Sequence, residues 1–113
     1  MFITRLVHAV SLTLSFAAAL ALGGPAEAQD PQGTLKKIKD SGTITLGYRE
    51  QSVPYSFKGS DGTPAGYSVD LCSRVAVAIQ QRLGLKDLKV SWVPVTPSSR
   101  IARLIRGGID MEC

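Results

Sequence analysis

Two stretches with a two-residue rhythm, separated by one long stretch with a helical rhythm, restrict this chain to folds in which strands and helices alternate. Thr43-Ile44-Thr45-Leu46-Gly47-Tyr48 is β-branched and alternating, as a half-buried strand requires. Lys89 to Val95 alternates likewise, Pro94 notwithstanding. Between them, Val69 to Leu83 sets Leu71, Val75, Ile79 and Leu83 on one stripe and Arg74, Gln80 and Gln81 elsewhere. That is an amphipathic helix, with Ser68 as its N-cap and Gly84 as its end. Thr34 to Asp40 carries Leu35 and Ile38 three apart among lysines and stops at Ser41-Gly42, the mark of a short helix. Arg49 to Pro54 reads as a loop. Tyr55 to Phe57 and Ala65 to Tyr67 read as short extended pieces around Asp61-Gly62, a turn dipeptide that fits a hairpin. A further helix, capped by Ser98 or Ser99, runs to about Arg106 and stops at Gly107-Gly108, and Ile109 to Cys113 begins a third strand. Alternation of this kind implies an α/β unit with a mainly parallel sheet and right-handed crossovers.

The first twenty-eight residues stand apart from that pattern. Met1 to Arg5 is a charged start, Leu6 to Leu22 an apolar run rich in Leu and Ala, and Gly23-Gly24-Pro25 a break before the small-x-small site Ala26-Glu27-Ala28. This is the grammar of a cleavable export signal, and it places the mature chain outside the cytoplasm, in the periplasm of a bacterial cell. An uncleaved anchor is the competing reading, opposed by His8, Ser11, Thr13, Ser15 and the cleavage site. Gln29 to Gly33 is polar and reads as a frayed, flexible N-terminus ahead of residues 34–113.

Loss of Arg5 with Glu27 leaves the formal charge of the whole chain, +4, on the mature part. A basic balance serves nucleic acid, a membrane surface or an acidic ligand. Export argues against nucleic acid, and no Lys/Arg run supports a membrane surface. Lys36, Lys37 and Lys39 read as the solvated face of the first helix. Both cysteines, Cys72 and Cys113, are mature, and an oxidising compartment favours their pairing. The bridge would close a loop of about forty residues, for which chain entropy gives roughly 4 kcal/mol. A zinc site needs more ligands than two cysteines, and a catalytic thiol needs a base, whereas the one histidine, His8, leaves with the signal.

In open parallel sheets, ligands bind outside the carboxyl ends of the strands. Arg49 follows the first strand, and Arg100 follows the second through Thr96-Pro97-Ser98-Ser99, inside the first turn of the next helix. A guanidinium there can hold a carboxylate, helped by hydroxyls and by helix-start amides, so an anionic ligand is the physical expectation. Either arginine can equally be an ordinary surface residue. Tyr55 and Phe57 are either an apolar wall for a ligand or core.

Thr34-Leu-Lys-Lys-Ile-Lys-Asp-Ser-Gly-Thr-Ile-Thr-Leu-Gly-Tyr-Arg-Glu50, Gly66-Tyr-Ser-Val-Asp-Leu-Cys72, Val93-Pro-Val-Thr96 with Arg100-Ile101, and Gly108-Ile-Asp-Met-Glu-Cys113 also occur in a familiar order. Together they resemble successive blocks of the periplasmic amino-acid-binding proteins of ABC transporters (solute-binding protein family 3), in the glutamate/aspartate-binding branch. The resemblance implies a type II periplasmic-binding-protein-like fold, two-lobed and hinge-closing, that captures an amino acid and delivers it to a membrane permease. It implies no cofactor, no metal and a monomer. By position, Arg49 and Arg100 match arginines that bind the ligand in that branch, and Cys72 and Cys113 match its cysteine pair. Pro97 departs from a serine common there, and Thr96, Ser98 and Ser99 are the hydroxyls that can compensate.

Proteins of that family are more than twice this length. The resemblance therefore implies that residues 34–113 are an incomplete first lobe, the N-terminal part of a longer receptor, poorly ordered and weak or inactive in binding alone. Two alternatives remain. An enzyme on the same scaffold, an exported dehydratase or a cell-wall lytic enzyme, would need an acid/base pair, for which Glu50, Asp70, Asp110 and Glu112 are the candidates. The sensing module of a membrane receptor would need a membrane span further on. Asp70 and Asp110 read instead as structural hydrogen-bonding groups at element ends.

Overall fold

The computed structural model describes residues 30–113, so the export-signal reading of residues 1–28 lies outside the described residues. Helix α1, Gly33–Ser41, drives Ile38 into the core and is stopped by Gly42, whose φ of 64° is left-handed and whose N–H reaches the Ile38 carbonyl at 2.8 Å. Strand β1, Thr43–Tyr48, follows and buries Ile44, Leu46 and Tyr48.

Strands β5, Lys89–Pro94, and β6, Met111–Glu112, flank β1 on either side, both parallel to it, in the order β5-β1-β6. Helix α2, Tyr67–Arg82, lies in the connection from β1 to β5, and helix α3, Arg100–Ile105, in that from β5 to β6. The mainly parallel α/β sheet is therefore as expected. Between β1 and α2, strands β2 (Gln51–Ser52), β3 (Ser56–Lys58) and β4 (Pro64–Ala65) form a small antiparallel sheet. The loop expected over Arg49 to Pro54 thus contains a strand, because Gln51 and Ser52 pair with Phe57 and Ser56. Strands this short carry too few residues for a two-residue rhythm to show. Asp61 and Gly62 make the expected turn, with Gly62 at φ 82°.

Helix α2 differs from expectation at both its start and its face. Its N-cap is Gly66, not Ser68. The first amides are taken by the preceding loop, Tyr67 N–H by the Pro54 carbonyl and Ser68 N–H by that of Tyr55. That approach is so close that a Cβ at Gly66 would stand 2.4 Å from the Tyr55 carbonyl oxygen. The buried stripe is Val69, Cys72 and Ala76, continued by the partly buried Ile79 and Leu83. Leu71 and Val75, expected on it, are 44% and 42% exposed. Both stripes share Ile79 and Leu83. The helix is rotated toward its smaller residues because Cys72 is joined to Cys113 at the end of β6, Cα to Cα 6.3 Å.

Asp110 ties three elements together. Its side chain is 2% exposed; Oδ2 accepts from Thr45 N–H of β1 at 2.8 Å, and Oδ1 accepts from Lys37 Nζ of α1 at 2.7 Å. Asp110 is structural, as expected. Lys37 lies on the solvated face of α1, as expected, and reaches from it to Asp110 as the ion-pair partner.

Candidate functional site

The carboxyl ends of all three parallel strands open on the same edge of the molecule. Beyond β1 stands Arg49, beyond β5 the segment Val95-Thr96-Pro97, and at the tip of β6 Glu112 and Cys113. Because β5 and β6 lie on opposite sides of β1, the chain reverses its direction of travel there, the place where α/β sheets open a crevice.

Two adjoining clefts occupy that edge. One, of about 270 Å³, is lined by Arg49, Ser52, Tyr55, Ser56, Ser68, Arg100, Glu112 and Cys113. The other, of about 440 Å³, shares Arg49 and Ser52 and adds Glu50, Gln51, Val95, Thr96 and Pro97. Residues 51 positions apart in sequence, Arg49 and Arg100, therefore meet in one hollow.

Each guanidinium is held by a neighbour. Arg49 donates from Nε to Ser52 Oγ at 2.8 Å, and its backbone N–H donates to Ser56 Oγ, a buried serine, at 2.9 Å. Arg100 donates from Nη1 to Glu112 Oε2 at 3.2 Å, while its Nε is buried and has no acceptor among the described residues. A buried donor without an acceptor is rare and costly. The cleft is thus a cationic hollow with one carboxylate in it, suited to an anion.

The hydroxyls expected to help divide differently. Thr96 Oγ1 accepts from Ser99 N–H at 3.1 Å, and Ser99 Oγ accepts from Thr96 N–H at 2.9 Å. This reciprocal capping box closes the turn that leads into α3, whose N-cap is Ser99, as expected, though with no side-chain cap bond of its own. Thr96 lines the larger cleft, with its hydroxyl engaged by that cap. Ser98 lines neither cleft and turns its hydroxyl to Thr96 Oγ1 at 3.1 Å. Tyr55 is exposed on the wall of the smaller cleft, and Pro97 lines the larger. Ser52, Ser56 and Ser68 were not legible as site residues, because each sits in a hairpin or helix start whose place beside Arg100 is set by the tertiary fold alone. Glu112 was legible only as an acid, not as the partner of Arg100.

The model of bacterial extracellular solute-binding proteins, family 3, matches residues 44–113, the span from β1 to the end of β6. The chain belongs to this family. Among its relatives is the L-glutamate/L-aspartate-binding protein of Pseudomonas aeruginosa, 44% identical over 106 residues, or 93% of this chain and 35% of that protein. The glutamate/aspartate import solute-binding protein of Escherichia coli is 39% identical over 100 residues, 84% of this chain and 33% of that protein. The chain spans about a third of the length of these curated relatives. Among solved structures, an ancestral cationic amino acid solute binding protein superposes with a TM-score of 0.54 at 34% identity, covering 68% of this chain and 31% of that one. As a family-3 solute-binding protein, the chain has the type II periplasmic-binding-protein fold over part of an α/β lobe.

Proposed function

We propose that this family-3 chain is part of an exported, periplasmic receptor that captures an acidic amino acid, glutamate or aspartate, and hands it as a monomer to an ABC-transporter permease. The observation that carries this reading is the meeting of Arg49 and Arg100 in one cleft at the carboxyl ends of the parallel strands. Two guanidinium groups there favour a ligand with two carboxylates over a neutral or cationic amino acid. The glutamate/aspartate-binding relatives support the same class. Tyr55 forms an apolar side of the site. Thr96 and Ser98 serve it indirectly, by holding the turn that presents Arg100. The carboxylates speak for binding and not for an acid/base reaction, since Glu112 pairs with Arg100 and Glu50 lies 3.7 Å from Lys58. One wall of a site makes few contacts, so a chain that spans about a third of its curated relatives' length binds weakly alone, and binding at full strength belongs to a product of their full length.

Calorimetric titration of L-glutamate, L-aspartate, L-glutamine and L-arginine into that product tests the proposal. The acidic pair should bind, and Arg49→Ala or Arg100→Ala should each weaken them by roughly tenfold to a hundredfold. Preference for glutamine or arginine, or indifference to both substitutions, would reject it.

A further inference from the structure

The Cys72–Cys113 bridge joins two parts of the smaller cleft that little else ties together. Ser68 comes from the start of α2, and its N–H is held by the Tyr55 carbonyl at 2.8 Å, so these two lining residues move as one. Arg100 and Glu112, paired at 3.2 Å, come from the start of α3 and from β6. Cys72 follows Ser68 by one helical turn, and Cys113 follows Glu112 directly and itself lines the cleft. Among the described residues no hydrogen bond or ion pair runs from α2 to β6. The register of β6 on β1 is two residue pairs long, Leu46 with Met111 and Gly47 with Glu112. The covalent link is therefore the constraint that sets the distance between the two parts, supported by packing of Met111 and Cys113 against the core.

We infer that this bridge is a redox-sensitive setting of the ligand cleft, so that its oxidation state and the occupancy of the site are coupled. The inference rests on the cleft being the ligand site and goes beyond that reading, whichever amino acid the site takes. Two bonded sulfurs stand closer than two thiols in contact can, so reduction moves Glu112, and the guanidinium it braces, relative to Ser68 and Tyr55. A site built from fixed donors loses affinity when they shift by about half an ångström or more. The reductant is an external dithiol. Its thiolate attacks one sulfur, and the Cys72–Cys113 bond breaks as a mixed disulfide forms. Its second thiol then closes the external disulfide and leaves both cysteines as thiols, two electrons and two protons having passed to the protein. Linkage is reciprocal: a ligand that binds the oxidised form more tightly makes the bridge harder to reduce by the same factor.

The test is calorimetric titration of L-glutamate into the full-length receptor, oxidised and then reduced with dithiothreitol. Near-ultraviolet circular dichroism of each sample reports whether it is folded. The reduced, folded receptor should bind roughly fivefold to a hundredfold more weakly. The double variant Cys72→Ala with Cys113→Ala, which lacks the bridge with no reductant present, should bind as the reduced form does. In mixtures of oxidised and reduced dithiothreitol, saturating glutamate should lower the reduction potential of the bridge by the matching amount, about 30 mV for each tenfold. A staple remote from the site would move neither quantity. Equal affinity of the folded oxidised and reduced forms, or a double variant as tight as the oxidised receptor, would overturn the inference with the acidic reading intact. So would a reduced receptor that unfolds, since the bridge would then hold the fold and not set the cleft. If L-glutamine or L-arginine binds in place of L-glutamate, the acidic reading fails, and the same comparison made with that ligand decides this inference by itself. An oxidised receptor that binds none of them would overturn both.

Discussion

At the scale of single residues, Asp110 shows how a charge can stabilise a small core. Its two oxygens serve different masters, the amide of Thr45 and the ammonium of Lys37, and the carboxylate is nearly enclosed whereas the lysine is half exposed. Asp110→Ala strands the Thr45 amide and should cost about 2–4 kcal/mol, read from the urea midpoint. Lys37→Ala, which removes only a solvated partner, should cost less than about 1 kcal/mol. Asp61 illustrates the opposite case, a fully exposed carboxylate whose value the fold still moves. The Thr63 amide, first, and the Thr63 hydroxyl hold its carboxyl below the ordinary aspartate value of 3.8. A depressed folded value means that the contribution to the hairpin tip is present above the unfolded value and is lost as pH falls through the folded one. The carboxyl carbon shift of Asp61 should therefore titrate below 3.8. In Thr63→Val the midpoint should move only part of the way back, because the amide remains.

At the scale of elements, helix α2 separates what was legible in the sequence from what was not. Its existence, length and end were plain from the recurrence of apolar residues, and so was the strand on either side of it. Its rotation was not. Large residues advertise a stripe, and Leu71 and Val75 advertise the wrong one; Cys72 and Ala76 are small, and their claim on the core depends on a disulfide partner 41 residues away. The same limit applies to the site. Arg49 and Arg100 could be placed at the strand ends from connectivity alone, whereas the pairing of Arg100 with Glu112 depends on β6 coming to lie beside β1. Substitutions unique to each stripe should tell them apart. Val69→Ala, on the buried stripe alone, should cost about 1.5–2 kcal/mol, and Leu71→Ala should stay within about 0.5 kcal/mol in the same denaturation assay.

At the scale of the whole molecule, the core of the described residues is narrow: a central cluster of Ile38, Ile44, Leu46, Cys72 and Ala76, with Tyr48, Val69, Val95 and Ile109 also buried and partly buried neighbours such as Trp92 and Met111 around the cluster. A core of this size leaves a thin margin, and the Cys72–Cys113 bridge supplies a large share of it. Reduction of the bridge should lower stability by about 4 kcal/mol, measured as the fall in urea midpoint between oxidised and reduced protein. A shift of less than about 1 kcal/mol would mean that packing alone holds β6 against β1.

The division of labour between the sheet and its rim has an evolutionary consequence. Ile44 and Leu46 of β1 face the core, while Arg49, Thr96 and Glu112 stand past or at the very tips of their strands. On the proposed reading of the site, exchange of a tip residue changes what the rim attracts and leaves the foundation in place, so a lineage can drift from one ligand to another through a few substitutions, each tolerable by itself. Relatives of this chain named for acidic amino acids and a structural neighbour named for cationic ones share that foundation. Altered preference should accordingly be selectable by randomising the rim alone.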